Sequence, residues 1–240
     1  MSRAARVQDG FLSTLMRERS RARRRALPDP RPGDQLVPET STHPSTALLV
    51  MDMQNAIVER FAAAAVLERA VAAATAARAH GVPVIFVRVA FRPGHPEASP
   101  RNKTFAALAG SNAFADEHAT AIHPAPDEVV VTKRRVSAFA GSDLDVVLRA
   151  GAIGDLVLCG ISTSGVVLST LRQAADLDFG LTVLRDACAD ADAEVHRVLT
   201  EKVFPRQADV VDVADWAAGL DGAPAGAAAG VAAAPGGASG

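Results

Sequence analysis

Asp52, Lys133 and the run GlyIleSerThrSerGlyVal (160–166) are the parts of this chain whose residue types and positions could do chemistry. Each comes directly after a β-forming run. An aspartate in such a place can move protons, or it can cap the helix that follows. Lys133 stands out by composition. Of 25 basic residues 22 are Arg, and the only lysines are Lys103, Lys133 and Lys202. A compact charge with a movable pKa suits acid–base or oxyanion work better than a guanidinium does, although a solvated surface position is the commoner use of a lysine. The run 160–166 reads as a turn opening a helix. Free N–H groups and the positive dipole end there favour an anion or a developing oxyanion. Ser164 at the helix start could equally serve as its cap.

The elements that must position these groups are legible from hydrophobic pattern. Six β-rich runs occur at 46–51, 82–89, 128–132, 155–160, 181–185 and 208–213, most without polar alternation. Continuous apolar strands are buried on both faces, as in a parallel sheet. Between them lie helical stretches at 54–80, 142–150, 164–178 and 193–203. The alternation predicts an α/β fold, a three-layer α/β/α sandwich with right-handed crossovers and a mostly parallel six-stranded sheet. Ligands of such sheets sit at the carboxyl ends of the strands. Three strand ends would then deliver a carboxylate, an ammonium and an amide cradle to one cleft.

The two ends of the chain differ from its middle. Residues 1–25 hold eight Arg against Asp9 and Glu18, and a Pro-rich stretch follows to Pro38. Phe11, Leu12, Leu15 and Met16 could line one face of a short basic helix; such helices touch membranes or nucleic acid, or pack on the domain or a partner subunit. Asp221–Gly240 has 15 Ala plus Gly in 20 residues, a composition that favours disorder. The expected organisation is an arm at 1–43, a domain at 44–220 and a tail at 221–240. With 25 basic and 27 acidic residues the net charge is −2, so bulk charge does not point to nucleic acid. No apolar stretch is long enough to span a membrane, and no apolar signal-peptide core opens the chain. Two cysteines, Cys159 and Cys188, fit a reducing compartment, and a cytoplasmic location is expected.

LeuLeuValMetAspMetGlnAsn (48–55), ThrLysArgArgValSerAlaPheAlaGlySerAspLeuAsp (132–145) and LeuCysGlyIleSerThr (158–163) together resemble the isochorismatase-like cysteine hydrolase family. The likeness continues through 169–178 and 184–189 and covers roughly 44–215. It implies a parallel six-stranded α/β/α fold, assembly as a homo-oligomer, and a catalytic Asp, Lys and Cys. Asp52 and Lys133 match the first two, and Gln54 and Phe139 lie in the same motifs as pocket candidates. Ser162, Thr163, Ser164 and Val166 match the substrate-binding or oxyanion turn, with a cis peptide implied between Ser162 and Thr163. The third catalytic position does not match. The family's cysteine lies six residues after the turn glycine, which from Gly160 is position 166, and residue 166 is Val. Valine cannot form a thioester. Cys159 and Cys188 read as structural, and a serine such as Ser164 or Ser169 would need a base that Asp52 is not aimed to provide. Some amidases of the family carry an Asp-x-His and further His near the end of the second strand; here only His95 is present, so no metal and no cofactor are expected, and His95 reads as an exposed loop or lid residue.

Three functions remain, one of them an amidase of the cysteine-hydrolase type acting through an unexpected hydroxyl; the other two differ in class. The first is a hydrolase of a small metabolite that works without a covalent cysteine intermediate, with Asp52 as acid/base and Lys133 as its electrostatic partner. The resemblance makes this chemically feasible: the family's isochorismatases carry Gly in place of the cysteine and cleave a vinyl ether by proton donation from the Asp. This chain lacks the TyrAlaHis that follows the turn in those enzymes, so isochorismate itself is not the expected substrate. The second is a catalytically inactive relative that binds a small molecule or a protein.

Overall fold

The structure, a computed structural model, describes residues 45–108, 110–111, 114 and 121–222. The basic arm, where a short helix around Phe11 was expected, and nearly all of the Ala/Gly-rich tail lie outside these residues. Among the described residues six strands are present: β1 (Ser45–Met51), β2 (Val84–Val89), β3 (Val129–Lys133), β4 (Ile153–Ile161), β5 (Gly180–Ala189) and β6 (Asp209–Val211). They form one sheet in the order β3-β2-β1-β4-β5-β6, every pairing parallel. With its helices this is the expected three-layer α/β/α sandwich. Apolar runs in the central strands explain the arrangement: Ala47, Leu48, Leu49, Val50 and Met51 of β1 are buried, as are Leu156, Val157, Leu158 and Cys159 of β4.

The helices are α1 (Asn55–Arg60), α2 (Ala64–Ala79), α3 (Lys103–Ala106), α4 (Leu144–Ala150), α5 (Leu168–Asp176), α6 (Ala193–Val198) and α7 (Val213–Gly222). Ala70, Ala73, Ala74 and Ala77 make a small-residue stripe at i, i+3, i+4 and i+7 that is wholly buried, so α2 sits close against the sheet. The stretch 54–80, expected as one helix, is two. Phe61–Ala63 interrupts it, with Ala62 at φ 48° and the Ala63 N–H closing back on Val58 O. No breaker residue marks the spot, but the packing of Ala63 and Phe61 on the core does. The stretches 164–178 and 193–203 each include a π-helical turn, Thr163–Val167 before α5 and Leu199–Val203 after α6. Short α3 and the closing α7 were not expected. Among the described residues no helix is long and apolar enough to cross a membrane.

Strand order reverses at β1: the chain steps outward through β2 to β3, then returns to lay β4 on β1's other side. The crevice at the carboxyl ends of β1 and β4 is therefore the topological switch point, where ligands of doubly wound sheets bind.

Candidate active site

Asp52 and Ser162 lie on either side of that crevice because Met51 pairs with Gly160. The approach is close. A Cβ on Gly160 would come within 2.3 Å of Met51 O, so only glycine fits there. Asp52 continues the β1–β2 pairing through its N–H to Val87 O (2.8 Å), then turns away at φ 56°. Aspartate is among the residues that tolerate this left-handed region. It does not cap α1; Gln54 holds the cap position.

Lys133 closes β3 in register with Val89. From there its ammonium reaches past β2, and Nζ stands 2.9 Å from Asp52 Oδ2, with side-chain exposures of only 3% and 7%. Lys133 also donates to Arg135 O at 3.0 Å. Asp52 Oδ1 is buried and has no hydrogen-bond partner among the described residues. Burial raises the Asp52 pKa above the ordinary carboxylate value, against the lowering pull of the Lys133 charge and hydrogen bond and of the Val89 backbone. The result is an acid with one oxygen anchored, the other uncommitted, and a proton held more tightly than usual. Such a group can give and take a proton.

The turn after β4 is more heavily engaged than its sequence suggested. The Ile161–Ser162 peptide is cis, one bond earlier than the resemblance implied. Gly165 and Val167 N–H groups donate to Ser162 O. Ser164 N–H donates to Asp190 Oδ2 at 2.6 Å, and the fully buried Thr163 meets His196 Nδ1 at 2.8 Å. The Ser164 amide is therefore already spent on a carboxylate of the protein itself. Ser162 Oγ lies over Gly165, where an added Cβ would be 2.6 Å away. Val166, which the resemblance aligns with the family's cysteine, is 2% exposed and presents only methyl groups.

Gln54 is not a free pocket group. Its amide clasps the Val89 backbone from both sides, donating to O at 3.1 Å and accepting from N–H at 2.9 Å. Phe139 is buried against Phe179, ring centroids 6.0 Å apart. His95, expected exposed, is 4% exposed and packs on the Phe91 ring at 5.3 Å. The flanking prolines mark a loop, but the loop folds inward on an aromatic side chain that pattern alone does not place. Cys159 and Cys188 are buried, and burial pushes the Cys188 thiol up to about 12 and raises Cys159 as well. Neither is poised to react. Among the described residues no group of three His, Cys, Asp or Glu could hold a metal.

Three contributors were missed in the sequence. Asp190 and His196 come from the exit of β5 and from α6, far along the chain from the turn they hold. Glu97 is a third. Its carboxylate accepts from Arg92 at 2.9 Å and Arg134 at 3.5 Å, and its carbonyl from Arg135 at 3.1 Å, tying the loop after β2 to the segment after Lys133.

The sequence model of the Isochorismatase domain matches residues 46–215. The uncharacterised isochorismatase family protein YecD of Escherichia coli O157:H7 is 37% identical over 177 residues, 70% of this chain and 93% of that protein. The ureidoacrylate amidohydrolase RutB of Pseudomonas syringae pv. syringae is 32% identical over 200 residues, 70% of this chain and 82% of its own length. Among solved structures, an isochorismatase family protein from Burkholderia thailandensis superposes with a TM-score of 0.66 at 31% identity, covering 75% of this chain and 98% of that one.

Proposed function

The chain belongs to the isochorismatase family of hydrolases, and from that premise we propose that it hydrolyses a small metabolite, of the vinyl ether class, without a covalent enzyme intermediate. The observation that carries this reading is the buried Asp52–Lys133 pair with its uncommitted Oδ1, taken together with a residue 166 that offers no nucleophile. The amide hydrolysis named for the Pseudomonas syringae relative would, in the cysteine mode, need a thiol that Val166 cannot supply.

Vinyl ether cleavage asks only for an acid and water. Protonated Asp52 donates its proton from Oδ1 to the terminal carbon of the C=C–O unit, and the ether oxygen's lone pair stabilises the resulting oxocarbenium ion. Lys133 steadies the carboxylate left behind. Water adds to the cation, its proton returns to Asp52, and the hemiketal collapses to a ketone and an alcohol. Ser162 and the remaining turn amides would line the substrate, with Phe139 as a further pocket candidate. Assembly as a homo-oligomer, a cytoplasmic location and a domain extent of 44–220 belong to the same proposal.

The test is turnover against a panel of vinyl ethers, amides and carbamoyl compounds. Vinyl ether cleavage run in D2O should place one deuterium on the protonated carbon, and Asp52→Asn should lower the rate by about 10²–10⁴. Amide turnover indifferent to Asp52→Asn would overturn the mechanism. Saturable binding across the panel with no turnover would make the chain a silent binding relative.

A further inference from the structure

One buried polar contact joins the turn after β4 to an element that takes no part in the Asp52–Lys133 pair. Thr163 Oγ1 and His196 Nδ1 are 2.8 Å apart; the threonine is fully buried and the histidine half-buried. Thr163 lies between the cis bond and Val166, so whatever holds its side chain holds the middle of the turn. His196 is itself held firmly. Asp192 caps α6 by accepting from Glu194 and Val195 N–H, and Thr200 Oγ1 donates to His196 O.

We infer that His196 is a positioning residue of the candidate site: as a neutral imidazole it fixes the turn carrying Ser162 and Val166, and on protonation it loosens that turn. The inference rests on the proposed role of the turn as the wall of the substrate site. A neutral imidazole can accept the Thr163 hydroxyl proton at Nδ1 or donate to that oxygen. An imidazolium can only donate, which strips a buried hydroxyl of its acceptor. Burial lowers the His196 pKa, against the raising pull of Asp190. The other charged groups around it are already committed or lie further along the chain. Asp192 is spent on the cap, Arg197 bridges Glu194 and Glu201, and Lys202 lies on the following π-helical turn. Asp190 also accepts from Ser164 and Ala191 N–H, so one carboxylate touches the turn and acts on the imidazole.

The experiment is an NMR titration of the full chain between about pH 5 and 8, following the His196 ring nitrogens and the amides of residues 162–166. His196 should titrate below the free histidine value of about 6.5, and the turn amides should shift with the same midpoint. In His196→Asn, whose amide can meet the Thr163 hydroxyl but does not titrate, these amides should keep their high-pH positions throughout. His196→Ala should displace them at every pH. Turn amides that stay still while His196 titrates, or that titrate equally in His196→Asn, would overturn the inference. Because the readout is the turn and not turnover, it stands or falls separately from the mechanism assigned to Asp52 and Lys133.

Discussion

The carboxyl edge of the sheet sets Asp52 against Lys133, and the amino edge sets Glu128 against Arg78. At the amino edge the guanidinium grips Glu128 with two bonds of 2.8 Å, beside a cavity of about 580 Å³ that Val84, Ile85, Val147 and Ile153 help to line. Glu128 also accepts from Ala125 N–H, so its carboxylate is fully engaged. Its pKa is lowered, chiefly by the Arg78 hydrogen bond against a smaller effect of burial. At the carboxyl edge the order reverses: burial outweighs the partner, and the Asp52 pKa is raised. The separation of the opposite charges is nearly the same in the two places, 2.9 Å and 2.8 Å. The difference is water, since Arg78 is 37% exposed and Lys133 3%. A charge pair that keeps its solvent makes a quiet anchor, and one that loses it leaves an acid ready to exchange its proton.

Truncating the cation should separate the two edges most strongly. Lys133→Met strands Asp52 in the interior and should cost about 3–5 kcal/mol, largely recovered when Asp52→Asn is added. Arg78→Met should cost about 0–1 kcal/mol. Urea unfolding near neutral pH measures both, and equal losses would erase the distinction.

A smaller effect is the sign of the pH dependence. Asp52 has a folded-state pKa above its ordinary 3.8, so its contribution to stability is complete below that value and is lost as pH rises through the raised pKa. Glu128 lies below its ordinary 4.5, so its contribution is present above that value and is lost as pH falls through the lowered pKa. Stability measured against pH for Asp52→Asn and for Glu128→Gln, each subtracted from the parent, should therefore give acid-range slopes of opposite sign. Slopes of the same sign would show that burial does not dominate at Asp52.

The smallest change in stability, within about 1 kcal/mol, is expected for Val166→Cys, a near-isosteric swap. Its value is as a reporter on the carboxyl edge. The new thiol should label with a thiol reagent at a pH below the free-thiol value of about 8.5, in a step that Asp52→Asn or Lys133→Ala displaces. The parent, with Cys159 and Cys188 buried, should stay unlabelled while folded. An inert Cys at 166, indifferent to both changes, would mean that this position does not face the Asp–Lys pair.

Much of the fold was legible in the chain itself, while the Arg78–Glu128 pair was not. Unbroken apolar runs such as LeuLeuValMet before Asp52 report burial on both faces, so six strands, and with them the residues at their ends, could be read from period. The spacing from Gly160 to Val166, set against the family resemblance, gives the expectation that position 166 lacks the family's nucleophile. These features are local, carried by neighbours along the backbone.

What the tertiary structure alone decided are meetings between segments distant in sequence. Lys133 reaches Asp52 only because β3 lies one strand beyond β2, and Asp52 turns left-handed only after pairing with Val87. The Gln54 amide is consumed by Val89, Thr163 by His196 and the Ser164 amide by Asp190, so three groups that read as free to bind a ligand are partly spent on the fold. The break at Ala62 and the burial of His95 against Phe91 join near neighbours in sequence, and their burial follows from packing on the core. Periodicity says which face of an element is apolar. The partner that face meets, and whether water remains there to screen a charge, depends on packing between elements that no local pattern encodes.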